Sequence, residues 1–131
     1  MADTHLVFVY GTLRKGYGNN ALLTGCDCLG VFETTEKSFK MFTGSFPIVT
    51  PTGAGAIRGE LYEISDRVFR NLDMLEGYPR FYDRKKVRVK DEENTTEAWM
   101  YIHHEEPATW RLETRLNDIY EWQGPKHSFN R

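Results

Sequence analysis

The chain has 131 residues, 40% hydrophobic and 14% aromatic, enough for one globular domain with a core and too apolar for disorder. A formal net charge of -2 exerts no overall attraction on nucleic acid. No apolar run reaches the length of a membrane span or a signal-peptide core, so the expected address is the cytoplasm, with neither nucleic acid nor membrane as partner.

In chain order, Leu6 to Tyr10 is a continuous apolar and β-branched run closed by Gly11, the pattern of a buried strand. The glycines that follow, in VFVYGTLRKGYG, place Gly11 and Gly16 at the spacing of a phosphate loop. Such a loop then needs Lys and Ser or Thr, to reach the β/γ-phosphates and hold Mg²⁺. Tyr17 and Gly18 stand there instead, which excludes a nucleotide loop. Asn19 or Asn20 is placed to cap a short helix through Ala21, Leu22 and Leu23. Cys26 and Cys28 match neither a redox C-x-x-C nor a zinc pattern and are expected as reduced thiols.

Leu29 to Phe42, rich in Val, Phe and Thr, predicts two strands, and Phe46 to Val49 a short one confined to an edge or bulge by Pro47. Thr52 to Ala56, with two glycines, predicts a loop, and Ala56 to Ile64 another strand. Ser65 is the N-cap of a helix running to Glu76, with Gly77 at its C-terminal cap and Pro79 just beyond. Arg84 to Lys90 and Ala98 to His103 predict a strand pair across the turn 91–94, and the basic residues alternating with valines there read as a solvated strand face. His103-His104-Glu105-Glu106 offers metal-capable side chains, but neighbours on a strand face opposite ways and no spacing converges three ligands, so no metal is expected. Leu112, Leu116 and Ile119 are spaced for a helix after Pro107, and the tail from Gln123 looks irregular. Ser128 beside His127 lacks a nearby acid for a hydrolytic triad. Strands outnumber helices without regular alternation, giving one domain over residues 1–131 of class α+β: a small mixed β-barrel with flanking helices.

The predicted helix contains a contradiction. At about 100° per residue, Glu76 falls inside the apolar arc of Val68, Phe69, Leu72 and Leu75. A carboxylate there is disfavoured by burial and by the negative end of the helix dipole, and both raise its pKa. Two readings stand on this pattern: a general acid/base with a pKa near neutrality, or a structural ion pair with Arg80 or Arg84.

Two stretches together carry a resemblance. VFVYGTLRKG near the start and LDMLEGYPRFYDRKKVRV in the middle resemble the gamma-glutamylcyclotransferase-like superfamily, whose paired signatures are a Y-G-T-L loop after the first strand and an L-D-x-(L/F)-E helix end. Within it the chain is most similar to the gamma-glutamylamine cyclotransferase branch, through Arg14-Lys15-Gly16 and a shortened tail with Gly124-Pro125, His127 and Phe129-Asn130. The resemblance implies a small β-barrel with flanking helices and an enzyme that needs no cofactor. The implied substrate is a small γ-glutamyl amine, such as γ-glutamyl-ε-lysine, whose own α-amine attacks its side-chain carbonyl to give 5-oxoproline and a free amine. It assigns Glu76 as catalytic acid/base, Tyr10, Gly11, Thr12 and Leu13 as the substrate loop, and Tyr82 as a wall of the pocket. A cyclotransferase for another γ-glutamyl compound and a non-catalytic γ-glutamyl-binding module are the alternatives.

Overall fold

In the computed structural model, which describes residues 3–124, strand β1 (Thr4–Val9) organises the fold. Its apolar run is buried on both faces, because β1 pairs antiparallel with β4 (Ile48–Ser65) on one side and parallel with β6 (Thr95–Ile102) on the other. From β6 the pairing continues to β5 (Asp83–Lys90), then to β2 (Asp27–Thr34), and from β2 back to β4. The five strands therefore form a barrel-like ring in a mixed sheet, as the α+β reading expects. Strand alternation divides the core between two faces. Phe8, Phe32, Ile57, Leu61, Val89, Met100, Ile102 and Trp122 belong to one apolar cluster. Val7, Val9, Tyr62, Ile64 and Tyr101 belong to a second, together with Phe69 and Leu72 of the α-helix.

That helix, α1 (Asp66–Glu76), has the predicted ends: the Ser65 hydroxyl accepts from the Val68 N–H at 3.2 Å, and Gly77 closes it in the left-handed region at φ 66°. The predicted hairpin is present as β5 and β6, with Val87 and Val89 buried and the basic residues between them outward. None of the described helices is long and apolar enough to cross a membrane.

Four expectations are corrected. Residues 52–56 are not a loop but the middle of the 18-residue β4, of which Ile48 and Val49, read as a separate short strand, are the start. Opposite β3 (Phe39–Thr43) the register shifts between Phe39 and Lys40, so β4 bulges. Gly53 permits the close approach, since a Cβ there would lie 2.6 Å from the Phe39 carbonyl oxygen. Secondly, the segment carrying Leu112, Leu116 and Ile119 is not a helix. It forms three two-residue strands, β7 (Arg111–Leu112) on β3, and β8 (Arg115–Leu116) paired with β9 (Ile119–Tyr120), which adds to β4. Asn117 and Asp118 take positive φ of 55° and 64°, the two-residue turn that Asn and Asp favour, while Leu112 and Leu116 remain exposed. Thirdly, one α-helix, not several, flanks the described sheet, joined by a single 3₁₀ turn over Asn20–Leu23. Lastly, neither asparagine caps that turn with its side chain: Asn19 Nδ2 donates to Thr12 Oγ1 and Asn20 Nδ2 to the Leu13 carbonyl, so both strap the loop after β1.

Candidate active site

At the C-terminal end of β1 the chain opens a cleft of about 330 Å³, within the size range of small-molecule sites. The loop 10–13 forms one side, the end of α1 with Leu75 and Glu76 another, and Phe46, Pro47, Phe81 and Tyr82 a third, with Phe8, Val9, Asn19, Ser45 and Tyr101 also on its surface. All six residues singled out in the sequence, Tyr10, Gly11, Thr12, Leu13, Glu76 and Tyr82, line this one cavity.

Gly11 is there for a steric reason. A Cβ on it would meet the Pro47 ring at 2.7 Å, so only glycine lets the loop pass beneath the proline. The loop's carbonyls are engaged at three successive residues: Gly11 O accepts from Arg14 N, Thr12 O from Asn19 N, and Leu13 O from Asn20 Nδ2. The amides of Gly11, Thr12 and Leu13, in contrast, donate to no group among the described residues. Such amides are fixed donors ready for an oxyanion or carboxylate.

The three aromatic hydroxyls in the cleft are already committed, that of Tyr101 to Asp73. Tyr10 Oη donates to the Tyr101 carbonyl at 2.7 Å, and Tyr82 Oη to the Pro47 carbonyl at 2.7 Å. Burial raises both phenols well above their ordinary range, so they stay protonated and serve as walls with their protons turned away from a ligand.

Glu76 is half-buried, and burial lifts its carboxyl from 4.5 to about 7. No ion pair or hydrogen bond joins that carboxylate to a described residue, which removes the structural ion pair as an explanation. Arg84 is occupied elsewhere: its Nε and Nη2 donate to Asp73 at 3.0 and 3.2 Å, and its guanidinium lies within 4.6 Å of the Phe69, Tyr78 and Trp99 ring centroids. Asp73 also accepts from Tyr101 Oη at 2.7 Å and so ties the end of α1 to β6.

Sequence reasoning missed Tyr101, Asn19, Phe46 and Phe81 as lining residues. Phe81, beside Tyr82 and half exposed, was the most legible of these, as a large aromatic beyond a helix cap. The Arg14–Gly18 turn, in contrast, lies off the cleft: Arg14 is buried, donating to Trp122 O at 2.7 Å and stacking on Tyr17. The histidine pair lies just beyond β6 and divides between two surroundings. His104 pairs with Asp83, while His103 packs edge-on against Phe81 and Tyr82. Cys26 and Cys28 are free thiols, and among the described residues no three metal-capable side chains converge. Pro125, His127, Ser128 and Phe129 lie outside the described residues.

The chain is similar to known proteins over most of its length. Residues 7–123 match the family described as gamma-glutamyl cyclotransferase, AIG2-like. A protein of Methanocaldococcus jannaschii named "Putative gamma-glutamylcyclotransferase" is 38% identical over 121 residues, covering 90% of this chain and 98% of its own. One of the same name from Vibrio cholerae is 36% identical over 118 residues, 90% of this chain and 95% of that one. Among solved structures, an AIG2-like protein of Mus musculus superposes with TM-score 0.70 at 23% identity, over 82% of each chain, and so shares the fold.

Proposed function

We propose that this chain, which belongs to the gamma-glutamyl cyclotransferase, AIG2-like family, is a cyclotransferase that converts γ-glutamyl amines to 5-oxoproline and a free amine. The observation that carries the reading is a carboxyl without a partner among the described residues, facing a cleft that also presents loop amides with no acceptor among them. Intramolecular acyl transfer needs that combination.

The substrate's α-amine and the γ-carbonyl it attacks belong to one molecule, so the site has mainly to hold the chain folded and move a proton. Ionised Glu76 takes a proton from the α-ammonium, freeing the nitrogen lone pair. That nitrogen bonds to the γ-carbonyl carbon, and the carbonyl electrons move onto oxygen, where amides of the loop 10–13 stabilise the charge. Collapse of the intermediate breaks the bond to the departing nitrogen, which leaves with the proton carried by Glu76; the ring nitrogen gives up its second proton as the lactam forms, and the free amine takes one up as its ammonium. The proton is returned, and no redox partner is required. A carboxyl near 7 exchanges a proton in both directions at neutral pH.

The test is release of 5-oxoproline by the full chain from γ-glutamyl-ε-lysine and from other γ-glutamyl amides and dipeptides. Release from at least one, with stoichiometric free amine, is expected. No release from any of them overturns the proposal in favour of a binding role.

A further inference from the structure

The cleft changes character between floor and mouth. Val9, Tyr10, Gly11, Leu13, Tyr82 and Tyr101 are buried and make the floor. Leu75 and Phe81, 41% and 52% exposed, stand with half-buried Phe46 where the cleft meets solvent. The amides of buried Gly11 and Leu13, which meet no acceptor among the described residues, belong to the floor side, and on the cyclotransferase reading this sets the constant γ-glutamyl head inward and the departing amine toward the mouth.

That mouth is a pre-built aromatic wall. Phe46 meets Phe81 edge-on with ring centroids 6.1 Å apart and meets Trp110 at 5.1 Å. Phe81 is braced from behind by Tyr82 at 5.2 Å and His103 at 4.8 Å, both near perpendicular. Glu76 is the sole charged side chain among the described residues lining the cleft.

We propose that the amine released is one with an uncharged apolar body, aromatic or branched aliphatic, and that Phe46, Leu75 and Phe81 set this preference; the inference rests on the cyclotransferase reading above. A lysine or glycine leaving group brings an ionised carboxylate, and lysine an ammonium as well, to a mouth where no described lining residue other than Glu76 carries a charge. Those groups either lose hydration or stay in water, with the exposed Ser45 hydroxyl as the uncharged polar side chain beside Phe46. An aryl or branched alkyl group instead buries apolar area against the wall, at roughly 25 cal/mol per Å². By this reasoning γ-glutamyl-ε-lysine is a substrate of the right class with the wrong amine.

The experiment compares kcat/KM for 5-oxoproline release from γ-glutamylbenzylamide, γ-glutamylisobutylamide, γ-glutamyl-ε-lysine and γ-glutamylglycine, using the full chain. The apolar amides are expected to lead by roughly tenfold or more, the scale of discrimination an apolar pocket achieves. Phe81→Glu should cut turnover of the apolar amides and narrow or reverse the gap to the lysine conjugate. Leu75→Gln, at another exposed position, repeats the test if the first variant does not fold by circular dichroism. Lysine or glycine conjugates turned over as well as the apolar amides overturn this inference and leave the cyclotransferase reading standing. Equal losses for all four substrates in both variants also overturn it. No release from any γ-glutamyl compound overturns both.

Discussion

Asp73 and Glu76 lie three residues apart on α1, yet the fold treats the two carboxylates in opposite ways. Asp73 accepts from Arg84 and from Tyr101 Oη, so its negative charge is compensated and fastens the helix to β6. Glu76 has no such partner among the described residues, faces the cleft, and is lifted to about 7 by burial. A side chain that is satisfied stabilises; one left unsatisfied in a cleft is available for chemistry. The arginine that could have neutralised Glu76 is held by Asp73 and by three aromatic rings. The pair thus separates a carboxylate that holds the helix end from one that the proposed reaction would use to move a proton.

The greatest change should come from altering Glu76 itself. Glu76→Gln should lower kcat for 5-oxoproline release by roughly 10²–10⁴, the usual contribution of a positioned acid/base, while circular dichroism stays that of the parent. Near-normal turnover by this variant would sink the acid/base role. Next is the opposite removal. Asp73→Asn leaves Arg84 and Tyr101 without their charged acceptor and should cost roughly 1–3 kcal/mol in urea unfolding, with chemistry affected less than stability. Its pH profile probes whether the two carboxylates share the arginine. An acid limb of kcat/KM moved below 7 means the freed guanidinium has turned to Glu76; an unmoved limb means the two carboxylates are independent.

The parent enzyme should lose kcat/KM as pH falls through about 7, because Glu76 must be ionised to accept the α-ammonium proton. Stability runs the other way. The folded value lies above the unfolded one, so between 4.5 and about 7 the folded chain holds the extra proton and stability declines as pH rises. Glu76→Gln should therefore melt a few degrees higher than the parent well above pH 7, and the gain should vanish in acid below 4.5, as thermal scans would show. Tyr101→Phe should do least: it deletes one bond to Asp73 and should cost roughly 0.5–1.5 kcal/mol of stability in urea unfolding.

Much of the site is legible in the amino-acid pattern. Glu76 stands out because a carboxylate on an apolar helical arc breaks a local rule, and Ser65 and Gly77 frame the helix without ambiguity. Gly11 stands out because a strand ends on it. What misleads are signals with two meanings. The glycines at 53 and 55 read as a loop but serve a bulged strand crowded by Phe39 and Tyr120. The spacing of Leu112, Leu116 and Ile119 imitates a helix, while the turn at Asn117 and Asp118 is the truer mark.

Local sequence was enough to specify the helix and its caps, the β5–β6 hairpin, the strand that ends on Gly11 and the anomaly of Glu76. These follow from backbone preferences and periodicity within a few residues. Three features needed the closed fold: Arg84 pairs with Asp73 rather than Glu76, the loop carbonyls are engaged while its amides meet no acceptor among the described residues, and Phe46 and Phe81 close one wall from distant segments. Which of two nearby carboxylates an arginine takes depends on rings brought in from α1, β6 and the segment after the helix. Contacts between residues far apart in the chain arise only when the sheet closes, so short-range patterns do not record them.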